Sequence, residues 1–297
     1  MADIKRVGVV GCGLMGSGIA QVVATAGIDT LVLEMNEELL QKGLGRIEKN
    51  LDRAVQKEKL TADDRDAILG RLTGVDTVEA LKDCDLIIEA IVEDINAKKE
   101  LFGALDELCP ESTIFSSNTS SLTITEMAAA TNRPDRFVGL HFFNPVPVMK
   151  LVEVVRSPAT SDETFDTAFA FAASIGKAPI ACRDNSGFVV NRVLVPYLLD
   201  AIRAYEEGIG SVEDIDKGMM LGCGYPMGPF TLIDFVGADT LYRIAEIMFD
   251  EYRERRYAPP PLLRRMFLAG HFGRKTGSGF YDYSGDTPVV TDFVRLN

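Results

Sequence analysis

The sequence predicts an α/β protein in which a doubly wound sheet is followed by a smaller, all-α C-terminal domain. Three observations lead to this prediction. Predicted strands and helices alternate over the first 185 residues, a glycine-rich turn joins the first strand to the first helix, and strand patterns almost disappear after residue 187. We therefore predict one domain over residues 1–185 and a second over residues 186–297.

Short apolar runs separated by amphipathic segments define the first domain. The predicted strands cover residues 5–10, 30–34, 85–91, 113–116, 137–142, 151–155 and 178–182. The predicted helices cover residues 17–26, 37–58, 95–108 and 162–175. Continuous apolar strands alternating with helices are typical of a parallel sheet that is buried on both faces.

The second domain is predicted to be helical throughout. Apolar periodicity indicates helices at residues 188–207, 212–221, 231–250 and 261–269. The segments 222–229 and 258–261 are rich in glycine and proline, which predicts connecting loops with an architectural role.

The glycine-rich turn has the pattern GxGxxG, formed by Gly11, Gly13 and Gly16, and an acidic residue, Glu34, ends the next predicted strand. This combination predicts a Rossmann-type dinucleotide site, with the pyrophosphate at the helix N-terminus. Glu34 would bind the adenosine ribose, and no arginine or lysine at residues 35–41 would balance a 2′-phosphate. The prediction is therefore NAD in preference to NADP, and the alternative is a tight turn without a ligand.

Composition excludes several other classes of function. The 297-residue chain has a net charge of −13, which argues against a nucleic-acid partner. Its apolar runs are too short to span a membrane, and its first residues do not look like a signal peptide, so we expect a cytoplasmic protein. The five cysteines are scattered, which argues against disulfides and against a metal site; we expect buried free thiols.

One histidine is a candidate general base. The chain has only two, and His141 ends a predicted strand of the first domain, at the sheet edge where such folds bind ligands. Glu153 on the following strand could orient its imidazole and stabilise the protonated form. A purely structural histidine is the alternative. His271 has the pattern of an ordinary surface residue.

The long predicted helix at residues 37–58 carries a basic stripe. Arg46, Asn50, Arg53 and Lys57 recur at helical spacing beside the apolar face. A solvated face is the usual meaning of such a stripe, but it could also provide local positive charge for an anionic substrate.

Seven segments of the chain resemble the L-3-hydroxyacyl-CoA dehydrogenase family, which includes bacterial 3-hydroxybutyryl-CoA dehydrogenases. The segments are GCGLMGSGIA (11–20), EAIVE (89–93), SNTSSL (117–122), GLHFFNPVP (139–147), GFVVNR (187–192), GYPMGPF (224–230) and KTGSGFY (275–281). The resemblance covers nearly the whole chain and implies NAD-dependent oxidation of an L-(S)-3-hydroxyacyl-CoA to the 3-ketoacyl-CoA, or the reverse.

The resemblance also implies site residues. His141 matches the catalytic base and Glu153 its carboxylate partner, while Ser120 and Asn191 match residues that hold the reacting end of the substrate. The implied cofactor-binding residues are Gly11, Gly13, Leu14, Met15, Gly16, Glu34, Glu93, Lys98, Asn118, Ser120, Asn144 and Lys275. The implied substrate-binding residues are Asn50, Lys57, Lys98 and Ser120. The family often has aspartate where this chain has Glu34, which keeps the charge but changes the reach of the side chain.

Two alternatives remain open at this point. One is a related dehydrogenase that acts on a free hydroxy acid or sugar acid, and the other is a non-catalytic dinucleotide-binding protein. The resemblance further implies that the helical domain completes the substrate cleft and forms a homodimer.

Overall fold

A computed structural model describes residues 4–294 of the chain. The chain forms two compact units, the first ending at Phe188 and the second beginning at Val189. Across the described residues, none of the helices combines the length and the apolar character that crossing a bilayer requires.

The first unit is built on an eight-stranded sheet in the order β3-β2-β1-β4-β5-β6-β7-β8. Its elements are β1 (Arg6–Val10), α1 (Leu14–Thr25), β2 (Asp29–Leu33), α2 (Glu37–Gln56), α3 (Ala62–Leu69), β3 (Leu72–Val75), β4 (Leu86–Glu89), α4 (Ile95–Leu108), β5 (Ile114–Ser117), α5 (Ile124–Ala128), β6 (Phe137–Phe142), β7 (Leu151–Arg156), α6 (Asp162–Ser174) and β8 (Ala178–Arg183). The Rossmann-type fold class predicted for this unit is confirmed.

The sheet is mixed, which corrects the expectation of an entirely parallel one. Neighbouring strands from β3 to β6 are parallel, but β7 pairs with β6 in the antiparallel sense, and β8 is parallel to β7. The connection from β6 to β7 spans only residues 143–150, whereas a parallel pair needs a crossover of about a dozen residues or more. This short connection reverses the chain.

Several local features of the first unit were not predicted, among them the short helix α5. Helix α3 and strand β3 were missed because α3 is short and strongly polar and β3 is a partly exposed edge strand. Helix α1 begins at Leu14, earlier than predicted, because the glycine-rich turn leads directly into the helix.

The second unit is mainly helical. It contains α7 (Val190–Glu206), α8 (Val212–Cys223), α9 (Pro229–Val236), α10 (Ala238–Tyr252) and α11 (Pro261–Ala269), followed by β9 (Tyr281–Asp282) and β10 (Val289–Val290). The single helix predicted at residues 231–250 is wrong, because Gly237 has φ of 106° and separates α9 from α10. The antiparallel pair β9 and β10 adds a small hairpin to a domain predicted to be all-α.

Two buried aspartates organise the second unit. The carboxylate of Asp216 accepts from the N–H groups of Phe230 and Thr231 at 2.7 and 3.0 Å, and so satisfies free donors in the first turn of α9. The carboxylate of Asp234 accepts from the N–H groups of Phe280 and Tyr281 at 2.9 and 2.8 Å. Burial raises the pKa of Asp234 to about 6, against the lowering effect of these hydrogen bonds.

Two glycines permit these contacts. A Cβ atom at Gly228 would overlap the side chain of Asp216, and one at Gly279 would overlap the carboxylate of Asp234. The segments 224–230 and 275–281 therefore pack against the two buried carboxylates, which accounts for Gly228 and Gly279 through the architecture of the unit.

We predict that Gly279→Ala destabilises the second unit by about 3 kcal/mol, because the added methyl group must displace Asp234 or the backbone of Gly273. The matched control is Gly218→Ala, in α8, where an added Cβ meets no atom within 4 Å. This control should stabilise the protein by about 0.5–1 kcal/mol. Urea-induced unfolding measures both changes, and equal stabilities for the two variants would contradict the packing argument.

Candidate active site

The glycine-rich turn has the shape that a dinucleotide needs. Gly11 has φ of +94°, and a Cβ there would lie 2.5 Å from the carbonyl oxygen of Ala90, while one at Gly16 would overlap the carbonyl oxygen of Gly11. At Gly13, by contrast, an added Cβ meets no atom within 4 Å, so this side of the turn is open. Helix α1 begins directly afterwards at Leu14 without a side-chain cap. Its first N–H groups can therefore bind phosphate oxygens.

A cleft of about 780 Å³ adjoins this turn. Glu34 and Met35, which follow β2, and Ile91 and Val92, which follow β4, lie along its walls. Met35 and Val92 expose 85% and 66% of their surface, so the cleft offers apolar contact area suited to an adenine ring.

Glu34 lies where a ribose-binding carboxylate is expected. Its Oε1 accepts from the N–H of Cys12 at 3.2 Å, and its Oε2 accepts from the N–H of Met35 at 2.6 Å. The side chain of Glu34, which is longer than the aspartate common in the resembled family, is thus held against the glycine-rich turn. The residues present fit NAD in shape and charge.

A cluster of three charges, of which Glu89 and Lys98 are buried and Glu93 is exposed, lies at the carboxyl end of β4. Lys98, from α4, is only 1% exposed, and its Nζ lies 2.5 Å from Glu89 Oε1 and 3.2 Å from Glu93 Oε2. Glu89 is fully buried, and its other carboxylate oxygen accepts from Ser117 Oγ at 2.5 Å. Lys98 was expected to touch ligands, but its ammonium group is engaged by two glutamates.

Glu93 holds the turn that follows β5. Its Oε1 accepts from Thr119 Oγ1 at 2.5 Å, from the N–H of Ser120 at 3.2 Å and from Ser121 Oγ at 3.2 Å. Ser120 is half-buried in this turn. The side chain of Asn118 links the turn to β6, because its Oδ1 accepts from the N–H of Phe142 at 2.9 Å.

His141 and Glu153 form a buried pair. They are directly opposite each other in the antiparallel register of β6 and β7, and His141 Nδ1 lies 2.6 Å from Glu153 Oε2. His141 is 7% exposed and Glu153 is fully buried. The rings of Phe143 and Phe188 flank the imidazole, with centroids 4.6 and 5.6 Å from its own.

This arrangement suits proton transfer. An ionised Glu153 accepts the Nδ1 proton, so the neutral imidazole has its free lone pair on Nε2. When Nε2 takes a proton, the buried carboxylate balances the charge of the imidazolium. His141 lies near the carboxyl end of β6, the edge of the sheet that also carries Glu89 and the glycine-rich turn.

The other predicted site residues are distributed over both units. Asn144 is exposed in the connection after β6, and Lys57 is exposed at the C-terminal end of α2, whereas Asn50 on α2 donates to Gln21 Oε1 at 3.3 Å. Asn191 and Lys275 belong to the second unit.

In that unit, Asn191 is half-buried in the first turn of α7. The Nζ of Lys275 forms an ion pair with Asp239.

His271 is not the ordinary surface residue that was predicted. Its Nδ1 lies 2.8 Å from Ser278 Oγ, and its ring stacks on Phe293 with centroids 4.3 Å apart. Four of the five cysteines are buried free thiols, as expected, and Cys223 is exposed.

Two charged residues were not predicted as part of the site: Glu89, at the carboxyl end of β4, and Arg46, beside the glycine-rich turn. Glu89 was quoted only as part of a motif, although its spacing of four from Glu93 and nine from Lys98 could have indicated a charged cluster. Arg46 was assigned to a basic stripe, but its guanidinium contacts the glycine-rich turn.

Comparison with known proteins agrees with this geometry. The family model described as 3-hydroxyacyl-CoA dehydrogenase, NAD binding domain, matches residues 6–185, and the model of the C-terminal domain of that family matches residues 187–283. The first unit is thus the NAD-binding domain of an oxidoreductase. The chain belongs to the 3-hydroxyacyl-CoA dehydrogenase family.

Individual relatives are similar over nearly their full lengths. A 3-hydroxybutyryl-CoA dehydrogenase of Mycobacterium tuberculosis is 51% identical over 95% of this chain and 100% of its own. The mitochondrial hydroxyacyl-coenzyme A dehydrogenase of Homo sapiens is 48% identical over 94% of this chain and 91% of its own. The crystal structure of (S)-3-hydroxybutyryl-CoA dehydrogenase from Ralstonia eutropha superposes with a TM-score of 0.92 at 43% identity, covering 95% of this chain and 100% of that one.

The charge cluster predicts a large effect of Lys98→Met on stability. Removing this ammonium group leaves the buried carboxylate of Glu89 without its cation, which should cost about 3–5 kcal/mol in the free energy of unfolding. The matched control is Lys99→Met, which removes a partly exposed pair with Glu126 and should cost less than about 1 kcal/mol. Chemical denaturation of both variants tests this, and a Lys98→Met protein as stable as the control would refute it.

Proposed function

We propose that this protein interconverts L-(S)-3-hydroxyacyl-CoA and 3-ketoacyl-CoA with NAD, with 3-hydroxybutyryl-CoA among its substrates and His141 as the general base. The observation that carries the proposal is the buried pair of His141 Nδ1 and Glu153 Oε2 at 2.6 Å, near the carboxyl edge of an NAD-binding sheet. The names of the relatives, which are dehydrogenases of 3-hydroxybutyryl-CoA or hydroxyacyl-CoA, support the substrate class.

The proposed mechanism follows from the orientation of the imidazole. His141 Nε2 takes the proton of the substrate hydroxyl while the hydride leaves C3, and Glu153 stabilises the imidazolium that forms. NAD⁺, when bound, accepts this hydride at its nicotinamide ring. In the reverse direction, the protonated His141 returns its proton to the carbonyl oxygen of the substrate.

The turn after β5 is proposed to position the reacting groups. The carboxylate of Glu93 orders this turn, so the hydroxyl of Ser120 has a defined place from which to bind the substrate oxygen. Asn118 ties the turn to the strand that carries His141. Asn191 of the second unit is proposed to bind the thioester end. Such positioning is a large share of catalysis in hydride transfer.

The remaining cofactor and substrate assignments are proposals of the same kind. The turn and the first residues of α1 would hold the pyrophosphate, and Glu34 the ribose. Asn144 and Lys275 are proposed to contact the cofactor. The exposed side chains of Arg53 and Lys57 on α2 are proposed to bind CoA phosphates.

We expect His141→Gln to lower kcat by about 10³-fold, because the variant loses the proton acceptor. Glu153→Gln, which keeps the shape but removes the negative charge, should lower kcat less. The matched control is His271→Gln, the second histidine of the chain, which should keep normal turnover. Acetoacetyl-CoA-dependent oxidation of NADH measures all three, and an unimpaired His141→Gln enzyme would exclude the proposed base.

We expect Lys57→Met to raise the KM for acetoacetyl-CoA about fivefold through loss of a phosphate contact. The KM for acetoacetyl-pantetheine, which lacks the nucleotide, should stay the same. Lys59→Met, which removes a nearby exposed charge, is the control. Equal turnover of free acetoacetate and its CoA ester would instead favour a dehydrogenase of free hydroxy acids, and NADH binding without any turnover would favour a non-catalytic protein.

Formation of a homodimer through the second unit, the contribution of that unit to the substrate cleft, and a cytoplasmic location all stay predictions.

A further inference from the structure

The guanidinium of Arg46, on α2, contacts the backbone of the glycine-rich turn. Its Nη1 donates to the carbonyl oxygen of Gly13 at 2.9 Å and to Ser17 Oγ at 3.1 Å, and it lies 3.5 Å from the carbonyl oxygen of Cys12. The side chain is half-buried. A cation therefore lies beside the first turn of α1, in a chain with a net charge of −13.

Gly43, one helical turn earlier on α2, makes this contact possible. A Cβ at Gly43 would overlap the Sγ and the carbonyl oxygen of Cys12, so the backbone of α2 lies directly against the turn. Burial raises the pKa of the Cys12 thiol to about 11, and the thiol is therefore a neutral packing group at neutral pH. Helix α2 thus touches the turn through one glycine and one arginine.

The contact supports the orientation of two peptide groups of the turn, and so of their N–H groups. In a planar trans peptide the carbonyl and the N–H of the next residue point in opposite directions. The Gly13 carbonyl accepts from the N–H of Ser17, and this helical bond directs the N–H of Leu14 out of the N-terminus of α1; Arg46 adds a second, charged donor to the same carbonyl. The Cys12 carbonyl, also facing Arg46, directs the N–H of Gly13 to the opposite side in the same way.

We propose that Arg46 is a positioning residue for NAD, which fixes the peptide groups of the turn and adds positive charge behind the pyrophosphate site. The basic stripe of α2 then has two parts. Arg46 and Asn50 face α1 through Gly13 and Gln21, whereas Arg53 and Lys57 are exposed. Within the first part Arg46 serves the cofactor, and this inference does not depend on which substrate the enzyme takes.

Isothermal titration of NADH and of ADP-ribose into Arg46→Met tests the proposal. Loss of the charge-assisted contact between Arg46 and the carbonyl of Gly13 should weaken the binding of both ligands about tenfold, because both contain the pyrophosphate that the turn binds. The matched control is Lys49→Met, which removes an exposed charge from the same helix and should change affinity by less than about twofold. At saturating NADH, the KM for acetoacetyl-CoA should be unchanged in Arg46→Met.

A second variant separates a loss of binding from a loss of folding. Arg46→Gln keeps a polar, helix-compatible side chain but no charge, and should bind NADH and ADP-ribose at least about fivefold more weakly while its ligand-free thermal midpoint stays near that of the wild type. Unchanged affinity in the folded variants would overturn the proposal. An equal loss in Lys49→Met, or a loss for NADH but not for ADP-ribose, would also overturn it.

Discussion

The antiparallel pairing of β6 with β7 is the constraint on which the candidate chemistry depends. Its register sets His141 against Glu153, so a buried imidazole has a carboxylate 2.6 Å from its Nδ1. A parallel arrangement would have required a long crossover and a different partner for each residue. Because both side chains are on strands, their geometry is held by the sheet and not by a flexible loop.

Two charged groups at the same edge of the sheet, Glu89 and Lys98, are buried, and each has a partner of opposite charge. Glu89 is fully buried and is satisfied by Lys98, by Ser117 and by the N–H of Ile91. A buried carboxylate is tolerated only when such contacts replace its hydration. Through Lys98 and Glu93 this cluster connects α4 to the turn that presents Ser120, so the same charges that stabilise the domain also shape its proposed substrate site.

Helix α2 takes part in two proposed functions, the binding of the cofactor and the binding of CoA. In its middle, Gly43 and Arg46 pack on the glycine-rich turn, and at its C-terminal end Lys57 is exposed to solvent. In an acidic chain, local positive charge favours the binding of anionic ligands. In our proposals, placing that charge along one helix serves a pyrophosphate at the middle of the helix and CoA at its C-terminal end.

Sequence alone indicated most of the alternation of strands and helices, the NAD-binding turn, and His141 and Glu153 as separate candidates, because these follow from local periodicity, glycine stereochemistry and a recognisable set of motifs. The edge strand β3 and the helix break at Gly237 were not predicted from the sequence, since a four-residue, partly exposed strand and a single glycine with positive φ leave weak patterns. Only the tertiary structure decided the direction of β7, the burial of Lys98 and the contact of Arg46 with Gly13. The physical reason is that these depend on which distant side chains meet, and charges that look solvated in a helical pattern acquire their partners only when the sheet and its helices pack together.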